Sequence, residues 1–161
     1  EFIEKSLHFY LSDSIKQQTD AFCNGFHSLI SVRELSIFSQ GELELLICGV
    51  TKIDINDMRN NTSLFQYTRD SPTIKCFFNA ISKWDNDLLA QLLQFITGNS
   101  SVPLNGFCDK RIIIQKSGNI NSLPTSHTCF NILDLPDYQN EEILNEKLLM
   151  AVKECKTFGF I

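Results

Sequence analysis

Apolar residues in the first thirty positions recur at Leu7, Leu11, Ile15, Phe22, Phe26 and Leu29, mostly three, four or seven apart, the spacing of one helical face. One long helix over residues 2–30 is predicted. Ser31-Val-Arg-Glu34 and Ser39-Gln-Gly-Glu42 both match the capping box, in which serine and glutamate satisfy free amides at a helix start. They predict two short helices, the second carrying Leu43, Leu45, Leu46 and Ile47. Gly49 ends that run, and Val50-Thr51-Lys52 leads into an Asn- and Asp-rich stretch, Asp54 to Arg69, that reads as a joint between units. Beyond it, Ser71-Pro72 is a helix start followed by Ile74, Phe77, Phe78 and Ile81 on one face. A further helix is predicted from about Asp87 to Thr97, with Leu88, Leu89, Leu92, Leu93 and Ile96 as its apolar stripe and Gly98 closing it. Arg111 to Gln115 and Phe130 to Leu135 are short, apolar and bounded by turns, as buried strands are, and Pro136 ends the second. Asn140 then caps a last helix, with Glu141 and Glu142 in its first turn and Leu144, Leu148, Ala151, Val152 and Cys155 facing inward. Helices followed by strands mixed with helices imply an α+β unit after residue 50, preceded by helical material of another unit.

Composition narrows the class. The chain has 161 residues, 43% of them hydrophobic and 11% aromatic, enough for one compact domain or one plus part of another. A net charge of -5 with mixed signs and no Lys/Arg stripe argues against a nucleic-acid partner. No apolar run approaches ~18 residues, and the opening Glu1 to Lys5 lacks the layout of a signal peptide. These features predict a soluble intracellular protein with no membrane partner. The six cysteines, at 23, 48, 76, 108, 129 and 155, are too widely spaced for a zinc module and read as reduced thiols. Cys23, Cys48, Cys76 and Cys155 fall on helical apolar faces and read as packing; Cys108 sits in a loop without a basic neighbour on its N-terminal side. His8 and His27 have no partner at metal-ligand spacing, and no glycine-rich phosphate loop is present, so neither metal nor cofactor is expected. The glycosylation-type tripeptides at Asn60, Asn61 and Asn99 are taken as chance.

Cys129 stands apart. In Leu123-Pro-Thr-Ser-His-Thr-Cys-Phe-Asn131 it lies in a polar loop before an apolar, strand-like run, where an exposed thiolate can act as a nucleophile. The competing reading is an inert thiol at a strand start. His127, two residues away, would share a face with Cys129 in an extended chain and could lower its pKa. It could equally orient the loop by hydrogen-bonding its backbone. A cysteine protease would draw its histidine from a distant segment, and no such pattern is visible.

That nonapeptide resembles the active-site loop of the HECT family of ubiquitin ligases. Glu42 to Gly49, Leu93 to Gly98, Val102 to Phe107 and Leu133 to Tyr138 resemble HECT signatures in order and spacing, and Tyr67 to Ser71 with Lys156 to Ile161 look most like the E6-associated-protein branch. Phe78 stands where the family often has Trp, Ser101 where Arg is common, and Asn61 to Tyr67 is about one residue short. The resemblance implies a HECT C-lobe, a small β-sheet packed by helices, over residues 53–161. It implies a hinge at Gly49, Val50, Thr51 and Lys52, and the helical end of the N-lobe over residues 1–48. It further implies that Cys129 takes ubiquitin as a thioester from a ubiquitin-conjugating enzyme and passes it to a substrate lysine. Thr125, His127 and Thr128 would form the supporting loop, with Thr128 suited to hold the loop or an oxyanion, and Phe158 would dock the lobes. Ubiquitin, the conjugating enzyme and protein substrates are the implied partners, in the cytoplasm or nucleus. A non-catalytic ubiquitin-binding or scaffold module of the same fold is the alternative.

Overall fold

The computed structural model describes residues 2–158, with side chains through Glu154, and divides between Leu43 and Glu44 into two units. The first is helical: α1 (Phe2–Leu11), a 3-10 turn (Asp13–Ile15), α2 (Lys16–His27) and α3 (Val32–Leu35), with α4 (Gln40–Cys48) running across the boundary. The single helix predicted over residues 2–30 is therefore broken. Ser14 Oγ donates to Tyr10 O at 3.0 Å; a serine side chain that bonds nearby backbone competes with the helical ladder at such a point. Both capping boxes form. The Ser31 and Ser39 amides each donate to a glutamate oxygen at 2.8 Å, Glu34 and Glu42 respectively. The Ser31 hydroxyl and amide together hold Glu34, and the Ser39 amide and hydroxyl Glu42, below their ordinary values.

The second unit contains α5 (Ile55–Asn61), β1 (Ser63–Phe65), α6 (Pro72–Ile81), α7 (Asn86–Thr97), a 3-10 turn (Gly106–Cys108), β2 (Ile113–Ser117), β3 (Thr125–His127), a 3-10 turn (Thr128–Phe130), β4 (Ile132–Pro136) and α8 (Glu141–Phe158). Its sheet has the order β1-β2-β4-β3, parallel except where β3 runs antiparallel to β4. The fold is α+β. Asp54 to Arg69 is not a joint: it forms α5 and β1 and buries Met58, Thr62 and Tyr67. Asp54 caps α5, its Oδ1 accepting from the Asn56 amide at 2.8 Å, so an Asn/Asp-rich run becomes helix with one apolar residue pointing inward. The predicted faces of α6 and α7 are buried as expected, with Phe77, Ile81 and Ile96 wholly inaccessible beside Ile114, Leu133, Leu135, Leu144 and Leu148. Ser71 precedes α6, but its hydroxyl accepts from the Thr68 amide at 2.9 Å rather than capping the helix. Asn140 Oδ1 accepts from the Glu142 amide at 2.8 Å and caps α8. No described helix is long and apolar enough to cross a membrane.

Polar ties fix β4 to its neighbours. Tyr67 Oη donates to Leu135 O at 3.0 Å; burial, helped by the charge of Asp137, pushes the phenol up to about 12, so it remains a donor at neutral pH. Asp137 accepts from Lys116 Nζ at 2.7 Å and from the Thr73 hydroxyl, and these bonds hold its carboxyl below the usual range. A carboxyl lowered by folding stabilises the fold above its unfolded pKa of about 4, and that contribution disappears as pH falls through the folded value. Urea unfolding below about pH 4 should therefore show a shallower loss of stability with falling pH for Asp137→Asn than for the wild type. Parallel acid limbs would contradict this.

Candidate functional site

Three short elements place Cys129. β3 pairs with β4 so that Thr125 lies opposite Asp134, Ser126 opposite Leu133 and His127 opposite Ile132. Alternation along the strands then puts Thr125, His127 and Asp134 on one face and buried Leu133 on the other. The chain leaves β3 at His127, makes one 3-10 turn through Thr128, Cys129 and Phe130, and re-enters the sheet at Ile132. Asn131 makes this possible. Its φ of 53° lies in the left-handed region, which asparagine tolerates better than most residues. Its amide donates to Thr128 O at 3.4 Å, and its carbonyl accepts from the Ile113 amide of β2 at 2.9 Å. The turn is thus tied into the sheet at its base while its apex stands clear. Cys129 is exposed and unpaired, and Phe130 beside it is 71% exposed.

The predicted strand over Phe130 to Leu135 begins two residues late, because Thr128 to Phe130 form the turn. The extended segment that would set His127 and Cys129 on a common face ends at His127. His127 does not bond the loop backbone either. Its Nε2 lies 2.9 Å from Asp134 Oδ2, which also accepts from Thr125 Oγ1 at 3.3 Å. Thr125 and His127 are thereby organised by a carboxylate from β4. Sequence reasoning gave Asp134 no role, although it lies in the Leu133 to Tyr138 segment and interrupts the apolar run Ile132 to Leu135. Its side chain is only 14% exposed. Thr128 follows directly, and the end of α7 approaches it closely enough that a Cβ on Gly98 would lie 3.9 Å from Thr128 Cβ.

Other predicted residues lie elsewhere. Gly49 to Lys52 form no free segment within the second unit. The Val50 amide donates to Val102 O at 2.7 Å, the Val102 amide returns to Val50 O at 3.0 Å, and Asn86 Nδ2 donates to Thr51 O at 2.9 Å. The Ser101 hydroxyl donates to Cys48 O. The Phe158 side chain lies outside the described residues, as does that of Cys155. Cys23 and Cys48, expected as packing, are exposed, whereas Cys76 is half-buried; their helical spacing is apolar, but α2 and α4 bury nothing among the described residues. Cys108 is exposed and donates to Asn105 O at 2.8 Å. Among the described residues, no group of three or more His, Cys, Asp and Glu side chains is placed to hold a metal ion.

The α+β unit thus carries an exposed thiol on a tight turn, with a threonine and a histidine ordered beside it by Asp134. The family model described as HECT-domain (ubiquitin-transferase) matches residues 1–161, and the chain belongs to that family. It is 40% identical over 166 residues to E3 ubiquitin-protein ligase RSP5 of Chaetomium thermophilum, covering 99% of this chain and 20% of that protein. Against E3 ubiquitin-protein ligase HECW1 of Homo sapiens it is 43% identical over 167 residues, 99% of this chain and 10% of the relative. Against E3 ubiquitin-protein ligase ptr1 of Schizosaccharomyces pombe the figures are 42% over 168 residues, 99% and 5%. The chain therefore spans a fifth or less of the length of these relatives.

Proposed function

We propose that this chain supplies the cysteine of a ubiquitin-protein ligase. Cys129 Sγ attacks the thioester joining ubiquitin to a ubiquitin-conjugating enzyme, forming a new C–S bond and releasing the conjugating enzyme's thiol. A substrate lysine then attacks the Cys129 thioester, and an amide replaces it. Exchange between thioesters is nearly balanced in energy, so the protein's contribution is chiefly proximity. The single observation that carries this reading is the exposure of Cys129 at the apex of an anchored turn in a chain matched by the HECT model over residues 1–161. The test is whether the full-length protein, given ubiquitin, activating enzyme and conjugating enzyme, forms an adduct that reducing agent releases and peptide mapping places on Cys129.

In this proposal residues 1–48 are the end of an N-lobe, Gly49 to Lys52 the hinge and residues 53–161 the C-lobe. Its partners are ubiquitin, a conjugating enzyme and protein substrates, and its setting is the cytoplasm or nucleus. The branch is a finer matter: Tyr67 to Ser71 and Lys156 to Ile161 resemble the E6-associated-protein branch, but the relatives above bear the names RSP5, HECW1 and ptr1 and lend that assignment no support. Phe158, near the end of α8, is assigned to lobe docking in the second step by the resemblance. Phe158→Ala is then expected to form the Cys129 thioester at a normal rate and to discharge it poorly to lysine. Equal slowing of loading and discharge in single-turnover assays would assign Phe158 to the fold.

A further inference from the structure

We propose that Asp134 is a positioning residue: it fixes the tautomer of His127 so that Nδ1 accepts a proton from the lysine that attacks the Cys129 thioester. The inference rests on the reading of Cys129 given above and adds the group that readies the acceptor amine.

Two independent observations support it. The first is the pairing itself. A carboxylate can only accept hydrogen bonds, so in a neutral imidazole the 2.9 Å contact to Asp134 Oδ2 places the hydrogen on Nε2. Nδ1 is then left with its lone pair, and no hydrogen bond to Nδ1 exists among the described residues. The ring is 55% exposed and lies two residues before the thiol in sequence. A carboxylate that orients an imidazole while its other nitrogen takes a proton is a recurrent arrangement in acyl transfer.

The second observation concerns the other carboxylate oxygen. Among the described residues Asp134 Oδ1 is buried with no hydrogen-bond partner, and a buried unpaired acceptor destabilises a fold. Stability alone would favour a side chain on this face without that unpaired acceptor. Holding His127 accounts for a carboxylate at this position, since Thr125 and His127 both converge on Oδ2.

In the second step one proton passes from the lysine ammonium to His127 Nδ1. The freed nitrogen pair forms the C–N bond to the ubiquitin carbonyl. The C–S bond breaks with its electrons on Cys129 Sγ, and the remaining surplus N–H proton ends on that sulfur. No oxidant or cofactor is required.

The test uses the full-length protein charged with ubiquitin, the conjugating enzyme removed, and free lysine added as acceptor. Asp134→Asn keeps the shape but can donate to Nε2 and so favour the wrong tautomer. The expected result is a fall in the discharge rate about tenfold greater than any fall in loading, expressed in kcat for lysine with KM unchanged. His127→Gln should match it, and the double variant should discharge no more slowly than His127→Gln alone, as expected for two residues acting through one group. Unchanged discharge, equal losses in loading and discharge, a change confined to KM, or additive losses in the double variant would each overturn the positioning role. None of these outcomes touches the assignment of Cys129, which fails only if the adduct forms without that thiol.

Discussion

Cys129→Ala in the full-length protein abolishes the reducible ubiquitin adduct. The expected loss is complete because no other atom replaces the sulfur as the site of thioester formation. Stability is expected to stay within about 0.5 kcal/mol, the usual range for exposed positions, since the thiol stands outside the core and its turn is held by Asn131. Cys129→Ser is the companion variant: a hydroxyl in the same place forms an ester that resists thiols, so any adduct should survive reducing agent and yield to strong base. The other exposed thiols provide the control. Cys23→Ala, Cys48→Ala and Cys108→Ala remove accessible sulfurs outside the turn, and each should load normally. If Cys129→Ala retained a thiol-labile adduct, or Cys108→Ala lost it, the nucleophile would have to be assigned elsewhere.

What the sequence displayed most clearly was local. α6, α7 and α8 carry their own signals, an apolar stripe together with a proline start, a left-handed glycine stop or an asparagine cap, and each forms near its predicted place. Both capping boxes are complete within four residues and form for the same reason. The missed strands depend on distant partners. β1 and β3 are three residues each, and β3 reads Thr-Ser-His, so nothing apolar alternates; they are strands because β2 and β4 lie beside them. Asp134 is hidden for a related cause, since its meaning comes from a register that sets it opposite Thr125. In the first unit the apolar periodicity is real, yet Leu7, Phe22 and Leu29 stay exposed. Spacing defines a face, but burial needs a partner surface, and a chain spanning a fifth or less of relatives such as RSP5 and HECW1 need not contain it. The exposed, polar setting of Cys129 was legible because polarity around a cysteine is a local property.

Gly49→Ala is expected to produce a large loss of stability. Gly49 has φ +76°, and a Cβ there would overlap the backbone carbonyl of Val102. The left-handed conformation alone costs a side-chain-bearing residue about 1–2 kcal/mol. The overlap adds to it, because Val102 O is backbone and is already held by the Val50 amide at 2.7 Å. For a domain of this size each kcal/mol lowers the melting temperature by roughly 2–4 °C. Val50→Pro attacks the same point differently, removing the amide that donates to Val102. Both variants should therefore melt below the wild type. Asn86→Ala distinguishes anchoring from pivoting. Asn86 bonds Thr51 O at 2.9 Å and the Ile53 amide at 3.0 Å, so its loss removes two of the ties on the segment, leaving the Val50–Val102 pair, without altering any φ angle. If residues 49–52 pivot during transfer, Asn86→Ala should transfer ubiquitin at least as fast as the wild type despite lower stability, whereas Gly49→Ala is slow. Slow transfer by Asn86→Ala as well would mean that the segment works by being held, and a Gly49→Ala protein melting with the wild type would refute the contact to Val102.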